Sequence, residues 1–225
     1  MTLKINNGRA ILKWGAISIF AILFLVFFIR VVVFEKQYYD EKEGSERAIQ
    51  MDMGDDLVEV APSDQDVHDY VVAADRPRYL SIDRLDIANA RILPMGINEA
   101  GELSTPNNIF DVGWYYSSGK PGQGGTLLID GHNGGPHVQG VFKDLPALGE
   151  GDIIKIERGD GATLRYSVVE NKTIPLSESN DYMATAMMSP MRGVESVTLI
   201  SCAGEWSQAQ QTYLSRQFVR AILVE

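Results

Sequence analysis

The chain has a single cysteine among 225 residues and only three histidines. One thiol excludes an intramolecular disulfide and a zinc site of the multi-cysteine kind. Basic charge is also scarce: 20 Lys and Arg stand against 30 Asp and Glu, for a formal net charge of −10 at pH 7. A nucleic-acid binder would carry a basic stripe, so no nucleic-acid partner is expected. Helical signals are few and short, and there is no internal repeat. The glycine-rich stretch from Gly119 to Gly125 lacks the order G-x-x-x-x-G-K-[ST], so it reads as a plain loop rather than a phosphate cradle. No cofactor is called for. Glu178, Asp181 and Glu195 precede the cysteine segment, but scattered carboxylates read as a solvated surface, and no metal is assigned. Asn171-Lys172-Thr173 matches a glycosylation sequon, a pattern frequent by chance.

What is present begins with a long apolar run. Lys4, Arg9 and Lys13 precede Trp14 to Ile29; Arg30 interrupts, and Val31 to Phe34 continue. The run is close to the ~20 residues that span a bilayer. No small-residue cleavage site follows promptly, so residues 1–34 read as a retained single-pass anchor with a short N-terminal flank. The basic flank puts the N-terminus in the cytoplasm and the rest of the chain on the other side of the membrane. Residues 35–77 are acidic and polar, and read as a linker or stalk that buries too little apolar surface to offset its ordering entropy. His68 lies there and reads as a surface residue; a short helix is expected around 64–73.

From Arg78 onwards the chain reads as strands. Tyr79 to Ile82, Ala90 to Ile97, Thr126 to Ile129, Val197 to Cys202 and Phe218 to Val224 are apolar or alternating segments of strand length. Asp152 to Glu157 and Thr163 to Val169 flank Arg158-Gly159-Asp160-Gly161, a hairpin signal with Asp-Gly at the turn. Residues 181–188 are a short helix candidate ended by Pro190. The expected fold class is all-β and mainly antiparallel, a barrel or sandwich over residues 78–225.

Three of these segments end or begin in reactive side chains. Thr126 to Gly131 leads into His132, Val197 to Ser201 leads into Cys202, and Arg216 opens the segment that runs to Val224. A thiol at pKa ~8.5 is a few per cent ionised at pH 7, so a cysteine nucleophile needs a base beside it. An arginine supplies a permanently charged fork for a developing oxyanion. His132 directly follows a strand, so the sheet directs it. His137 sits in the loop Asn133-Gly134-Gly135-Pro136-His137 and is the less constrained candidate. The two histidines are a poor metal pair. Arg220 is an even number of positions from Arg216 and reads as an exterior or secondary contact.

The segments Asp130-Gly131-His132, Thr198-Leu199-Ile200-Ser201-Cys202 and Arg216-Gln217-Phe218-Val219-Arg220-Ala221 resemble the three signatures of sortases, the membrane-anchored cysteine transpeptidases of the bacterial envelope. The order His, Cys, Arg agrees, as do separations of 70 and 14 residues. Val112-Gly113-Trp114-Tyr115 and Val141-Phe142-Lys143-Asp144-Leu145 agree as well, so the resemblance covers about residues 78–225. It implies an eight-stranded sortase-type β-barrel with short helices, preceded by one transmembrane helix, with His132, Cys202 and Arg216 as the catalytic residues. It further implies cleavage of a C-terminal LPXTG-like sorting signal on surface-protein substrates through a thioacyl enzyme. The acyl group would pass to an amine such as a peptidoglycan cross-bridge, lipid II or a pilin lysine. Ser201 stands where the family usually has Thr, which keeps a hydroxyl. An N-terminal anchor, and a stalk without an aromatic lid motif, point away from the pilin-building class and towards classes D, E or F, with F slightly ahead. Two other functions stay open from sequence: an envelope cysteine hydrolase or peptidase on the same scaffold, and a non-catalytic membrane-tethered binding domain.

Overall fold

The computed structural model describes Ile29 and Arg30, residues 57–98 and residues 101–225. The expected membrane anchor therefore lies outside the described residues, apart from Ile29 and Arg30, which are helical. Among the described residues no helix is long and apolar enough to cross a membrane.

Eight strands close into a barrel in the order β1-β2-β3-β4-β7-β8-β6-β5. They are β1 (Pro77–Ile82), β2 (Ile87–Met95), β3 (Val112–Tyr115), β4 (Thr126–Gly131), β5 (Ile153–Arg158), β6 (Thr163–Pro175), β7 (Ser196–Ser207) and β8 (Thr212–Leu223). Two neighbouring pairs, β2–β3 and β4–β7, are parallel. The rest are antiparallel, so the sheet is mainly but not wholly so. Period-two alternation sends one side chain in two inward. Leu80, Ile92, Trp114, Leu127, Ile129, Ile156, Tyr166, Leu199 and Val219 meet there, all essentially inaccessible. The expected β5–β6 hairpin is present: Arg158 N–H donates to the Ala162 carbonyl at 2.8 Å, and Gly161 takes φ +84°.

Two helices decorate the barrel. Ser63 and Asp66 cap α1 (Asp64–Asp69) reciprocally, which satisfies its first orphan donors. The helix ends four residues earlier than expected, because Tyr70 turns to give its hydroxyl to the Ile92 carbonyl at 2.5 Å. α2 (Leu176–Ala186) begins five residues earlier than its sequence signal, directly after Pro175, whose ring is tolerated at a helix start. It crosses the outside of the barrel, where Ala186 packs with Leu128, Ile200 and Phe218 in a second apolar cluster.

Part of the acidic stretch departs from the expectation of a solvated stalk. Residues 57–76 lie along the barrel through polar handles rather than apolar area. Val58 pairs with Asn108, its N–H donating to the Asn107 carbonyl at 2.9 Å. Glu59 accepts the backbone N–H groups of His137 and Val138. His68 is exposed, as expected.

Beneath Tyr70, Arg91 grips Asp111 through two hydrogen bonds of 2.9 and 2.6 Å. Asp111 is 1% exposed. Arg91→Met would leave that carboxylate buried without its cation, which should cost about 3 kcal/mol of stability. Urea unfolding of the variant against the parent checks this; a loss near zero would show that Asp111 finds another partner.

Candidate active site

β4, β7 and β8 lie side by side, and the three candidate residues fall on these neighbouring strands or directly at their ends. Cys202 on β7 is paired directly with Arg216 on β8. β4 runs parallel to β7 as far as the pair Asp130–Ile200. His132 directly follows the last residue of β4, and Cys202 lies two residues beyond Ile200 on β7. The strands are still tied just short of that point, where Ser201 Oγ donates to the Gly131 carbonyl at 2.8 Å. Since Leu127, Ile129, Leu199 and Val219 face the core, alternation turns Asp130, Cys202 and Arg216 to the outer face. The site is thus built on the outside of the barrel, beside the apolar cluster roofed by α2.

The end of β4 is held by a tight loop. Phe142 N–H donates to the His132 carbonyl at 2.9 Å, and Gly140 N–H to that of Asn133 at 3.1 Å. A side chain at Gly140 would put its Cβ 2.3 Å from the His132 carbonyl oxygen, so only glycine permits this approach. His132 Nε2 lies 2.7 Å from the Pro106 carbonyl oxygen. That oxygen can only accept, so Nε2 carries the hydrogen and Nδ1 is left with its lone pair free to take a proton. His137 is exposed on the same loop, whereas His132 is half-buried.

Arg216 is docked rather than loose. Its Nη1 donates to the Tyr213 and Ser215 carbonyls at 3.1 and 3.0 Å, and Nη2 reaches Thr212 Oγ1 at 3.4 Å. No carboxylate among the described residues forms an ion pair with it, so its charge stays available to the neighbouring thiol.

One charged neighbour was not singled out from sequence. Asp130 is 6% exposed and accepts the Thr105 hydroxyl at 2.5 Å. Its room comes from Gly113 on β3, where a Cβ would stand 2.4 Å from Asp130 Oδ1. The period-two spacing from His132 was the signal that could have found it.

These surroundings set the protonation states. Burial pushes the Cys202 thiol above its ordinary value; Arg216 opposes the rise and Asp130 adds to it. Burial pushes His132 below its ordinary value, partly countered by the bond to Pro106. Both shifts favour the uncharged forms, so at neutral pH the free site holds a thiol beside a neutral imidazole.

Other residues weighed from sequence have structural roles. Asn171 Nδ2 donates to the carbonyls of Leu145 and Leu148 at 3.0 and 2.7 Å, which occupies the sequon amide in closing one end of the barrel. Glu195 is held by the N–H groups of Gly122 and Gly124 and by the Tyr166 hydroxyl, which explains the glycine-rich loop. Among the described residues no group of three or more His, Cys, Asp and Glu is placed to hold a metal.

Two outcomes follow from this geometry. Alkylation of Cys202 by iodoacetamide should rise with pH along a curve displaced above the free-thiol midpoint of about 8.5. Arg216→Gln should displace it further up, because the opposing charge is gone; a midpoint below that of a free thiol in the parent chain would contradict the assignment. Ser201→Ala removes the tie to Gly131 and should cost about 1 kcal/mol, while Ser201→Thr keeps it; thermal melts of the two variants distinguish the hydroxyl from simple packing.

No curated protein sequence matches the chain. Among solved structures, a sortase C of Streptococcus pneumoniae aligns with TM-score 0.50 at 18% identity, covering 83% of this chain and 89% of that one. A sortase D5 transpeptidase of Clostridium perfringens aligns at 0.47 and 17%, covering 82% and 98%. The sortase C1 of GBS pilus island 1 aligns at 0.48 and 20%, covering 65% of this chain. The alignment spans 63% of that streptococcal protein. At 18% identity the likeness to the pneumococcal sortase C is one of fold. The family model of the sortase domain matches residues 80–224. That span takes in the barrel from its first strand to its last, with His132, Cys202 and Arg216 inside it, and the chain belongs to the sortase family.

Proposed function

We propose that this chain, like the cysteine transpeptidases of its family, cleaves a C-terminal LPXTG-like sorting signal and passes the acyl fragment to an amine of the cell envelope. The observation that carries this reading is the direct pairing of Cys202 with Arg216 across β7 and β8. It sets a permanent cation beside the only thiol of the chain. Residues 1–34 serve as the membrane anchor in this reading, with the N-terminus in the cytoplasm and the barrel outside. Substrates are surface proteins bearing the signal. Acceptors are a peptidoglycan cross-bridge, lipid II or a pilin lysine. Within the family we favour classes D, E and F, with F ahead.

Each side chain has a step in the reaction. His132 Nδ1 takes the thiol proton, and the Cys202 thiolate adds to the scissile carbonyl carbon. The charge that develops on the carbonyl oxygen is met by the Arg216 guanidinium, already oriented by the Tyr213 and Ser215 carbonyls. The C–N bond breaks as the imidazolium gives its proton to the leaving amine, which leaves a thioester on Cys202. An incoming amine then adds to the thioester carbon and loses a proton to His132. The C–S bond breaks, an amide forms, and the cysteine is regenerated. Because the resting pair is neutral, the proton passes from Cys202 to His132 as the sulfur adds to the carbonyl, and the Arg216 guanidinium meets the negative charge as it develops on the carbonyl oxygen.

Mass spectrometry of the full chain mixed with an LPXTG-type peptide, with and without an amine acceptor, tests the reading. A thioacyl adduct on Cys202 and a peptide–amine product are expected, both lost in Cys202→Ala. Arg216→Gln should lower kcat by about a hundredfold, the usual cost of one oxyanion donor. Release of the acyl fragment to water alone, with acceptor present, would make the chain a hydrolase. Absence of any adduct would leave a membrane-tethered binding domain.

A further inference from the structure

The outer face of β8 carries a second arginine that the proposed chemistry does not use. Arg220 is four residues from Arg216 on the same face, yet only 6% exposed. The sequence reads it as an exterior residue or a secondary contact; the structure buries it against Glu170 and the Met188 carbonyl. Its Nη1 donates to Glu170 Oε2 at 2.6 Å and its Nη2 to the Met188 carbonyl at 2.7 Å. Glu170 in turn accepts the Tyr182 hydroxyl, from the middle of α2, at 2.7 Å, and pairs with Lys172. Thr198 on β7 donates to the Ala186 carbonyl at 2.7 Å. The C-terminal end of α2 is therefore held by two side chains of the barrel wall, Thr198 on the Ala186 carbonyl and Arg220 on the carbonyl of Met188 just past the helix, which sets a cation near the negative end of the helix dipole.

What this clamp holds in place lies next to the thiol. Tyr182 packs edge-on against Phe218, with ring centroids 4.8 Å apart. Phe218 is two residues from Arg216, and Ile200 is two residues from Cys202, on the same outer face. Both belong to the apolar cluster that α2 covers. α2 contributes none of the three candidate catalytic side chains. A buried ion pair is also a poor way to gain stability, since apolar replacements of similar volume are often as stable. Arg220 Nε is, in addition, buried without a hydrogen-bond partner among the described residues. A costly arrangement in that place argues for positioning rather than for stability.

Resting on the transpeptidase reading, we propose that Glu170 and Arg220 are positioning residues. They dock α2 against the apolar face beside Cys202, and so set the shape in which the acyl-donor peptide is bound. Their effect falls on donor binding and not on the thiol itself.

The test compares the full-length parent with Glu170→Met/Arg220→Met, which removes both charges together and so leaves no buried ion unpaired. KM for the LPXTG-type donor should rise about tenfold with kcat little changed. The rate of Cys202 alkylation by iodoacetamide should stay at the parent value, and hydrogen exchange should quicken in residues 176–188 alone. Arg220→Lys, which keeps the charge but not the fork, should recover part of the lost affinity. An unchanged KM in a folded double variant overturns the proposal while leaving the transpeptidase reading intact. So does a fall in kcat matched by slower alkylation, which would place the pair in the thiol chemistry. A parent chain that forms no acyl adduct overturns the transpeptidase reading and the proposal with it.

Discussion

The hydrogen-bonded register of β4, β7 and β8 is the constraint on which the rest of the site depends. Side chains on a strand alternate, so a slip of one residue in any of these pairings would exchange inner and outer faces. Cys202 would then turn into the barrel and Leu199 out of it. The register is held by the inner face, where Leu127, Ile129, Val197, Leu199 and Val219 are wholly inaccessible. Packing of an apolar core thus decides whether a thiol, an imidazole and a guanidinium meet on the opposite side. Ser201 adds a local lock at the last step before the reactive pair, where its hydroxyl ties β7 to β4.

Both faces of β4 and of the first half of β7 are covered, the inner by the core and the outer by α2 and its apolar cluster. That double burial shapes the chemistry. It withdraws water from the thiol and the imidazole and pushes their pKa values apart, so that neither is charged at rest. A thiolate, not a thiol, is the form that reacts and oxidises. The site therefore keeps its only cysteine in the slower form until a substrate changes the surroundings. Arg216 and Asp130 pull the thiol in opposite directions, which makes the balance sensitive to small movements at the strand ends.

Several polar groups that might be taken for functional ones hold the ends of the barrel closed. A buried carboxylate must be hydrogen-bonded, and Glu195 meets that need with two glycine N–H groups and a tyrosine. Asn171 ties down the 3-10 turn at Leu145–Ala147 by donating to the Leu145 carbonyl and to that of Leu148, which follows the turn. Each is a local solution to the problem of a strand that ends inside the protein. The segment 57–76 uses similar means on the outer wall, joining through backbone pairs and tyrosine hydroxyls where its composition offers little apolar area.

Much of this was legible in the sequence, because it rests on short-range rules. Alternation in Val197–Cys202 and Phe218–Val224, the Asp-Gly turn, and reactive residues placed at strand ends mark the fold class and name His132, Cys202 and Arg216. Local pattern was silent where a partner distant in sequence decides the outcome. The hairpin beyond Cys202, where β7 runs on to Ser207 and β8 starts at Thr212, has glycine and polar residues and no clear alternation. Its pairing comes from the ladder below it. Arg220 reads as an exterior or secondary contact in the sequence and Asp130 draws no reading of its own, yet both are buried, Arg220 on Glu170 and the Met188 carbonyl and Asp130 beside Thr105 and Gly113. The sequence by itself determined which residues could do the chemistry and on which kind of element they sit. Only the tertiary structure decided which of them meet and which are desolvated, because register and burial are properties of strands brought together from across the whole domain.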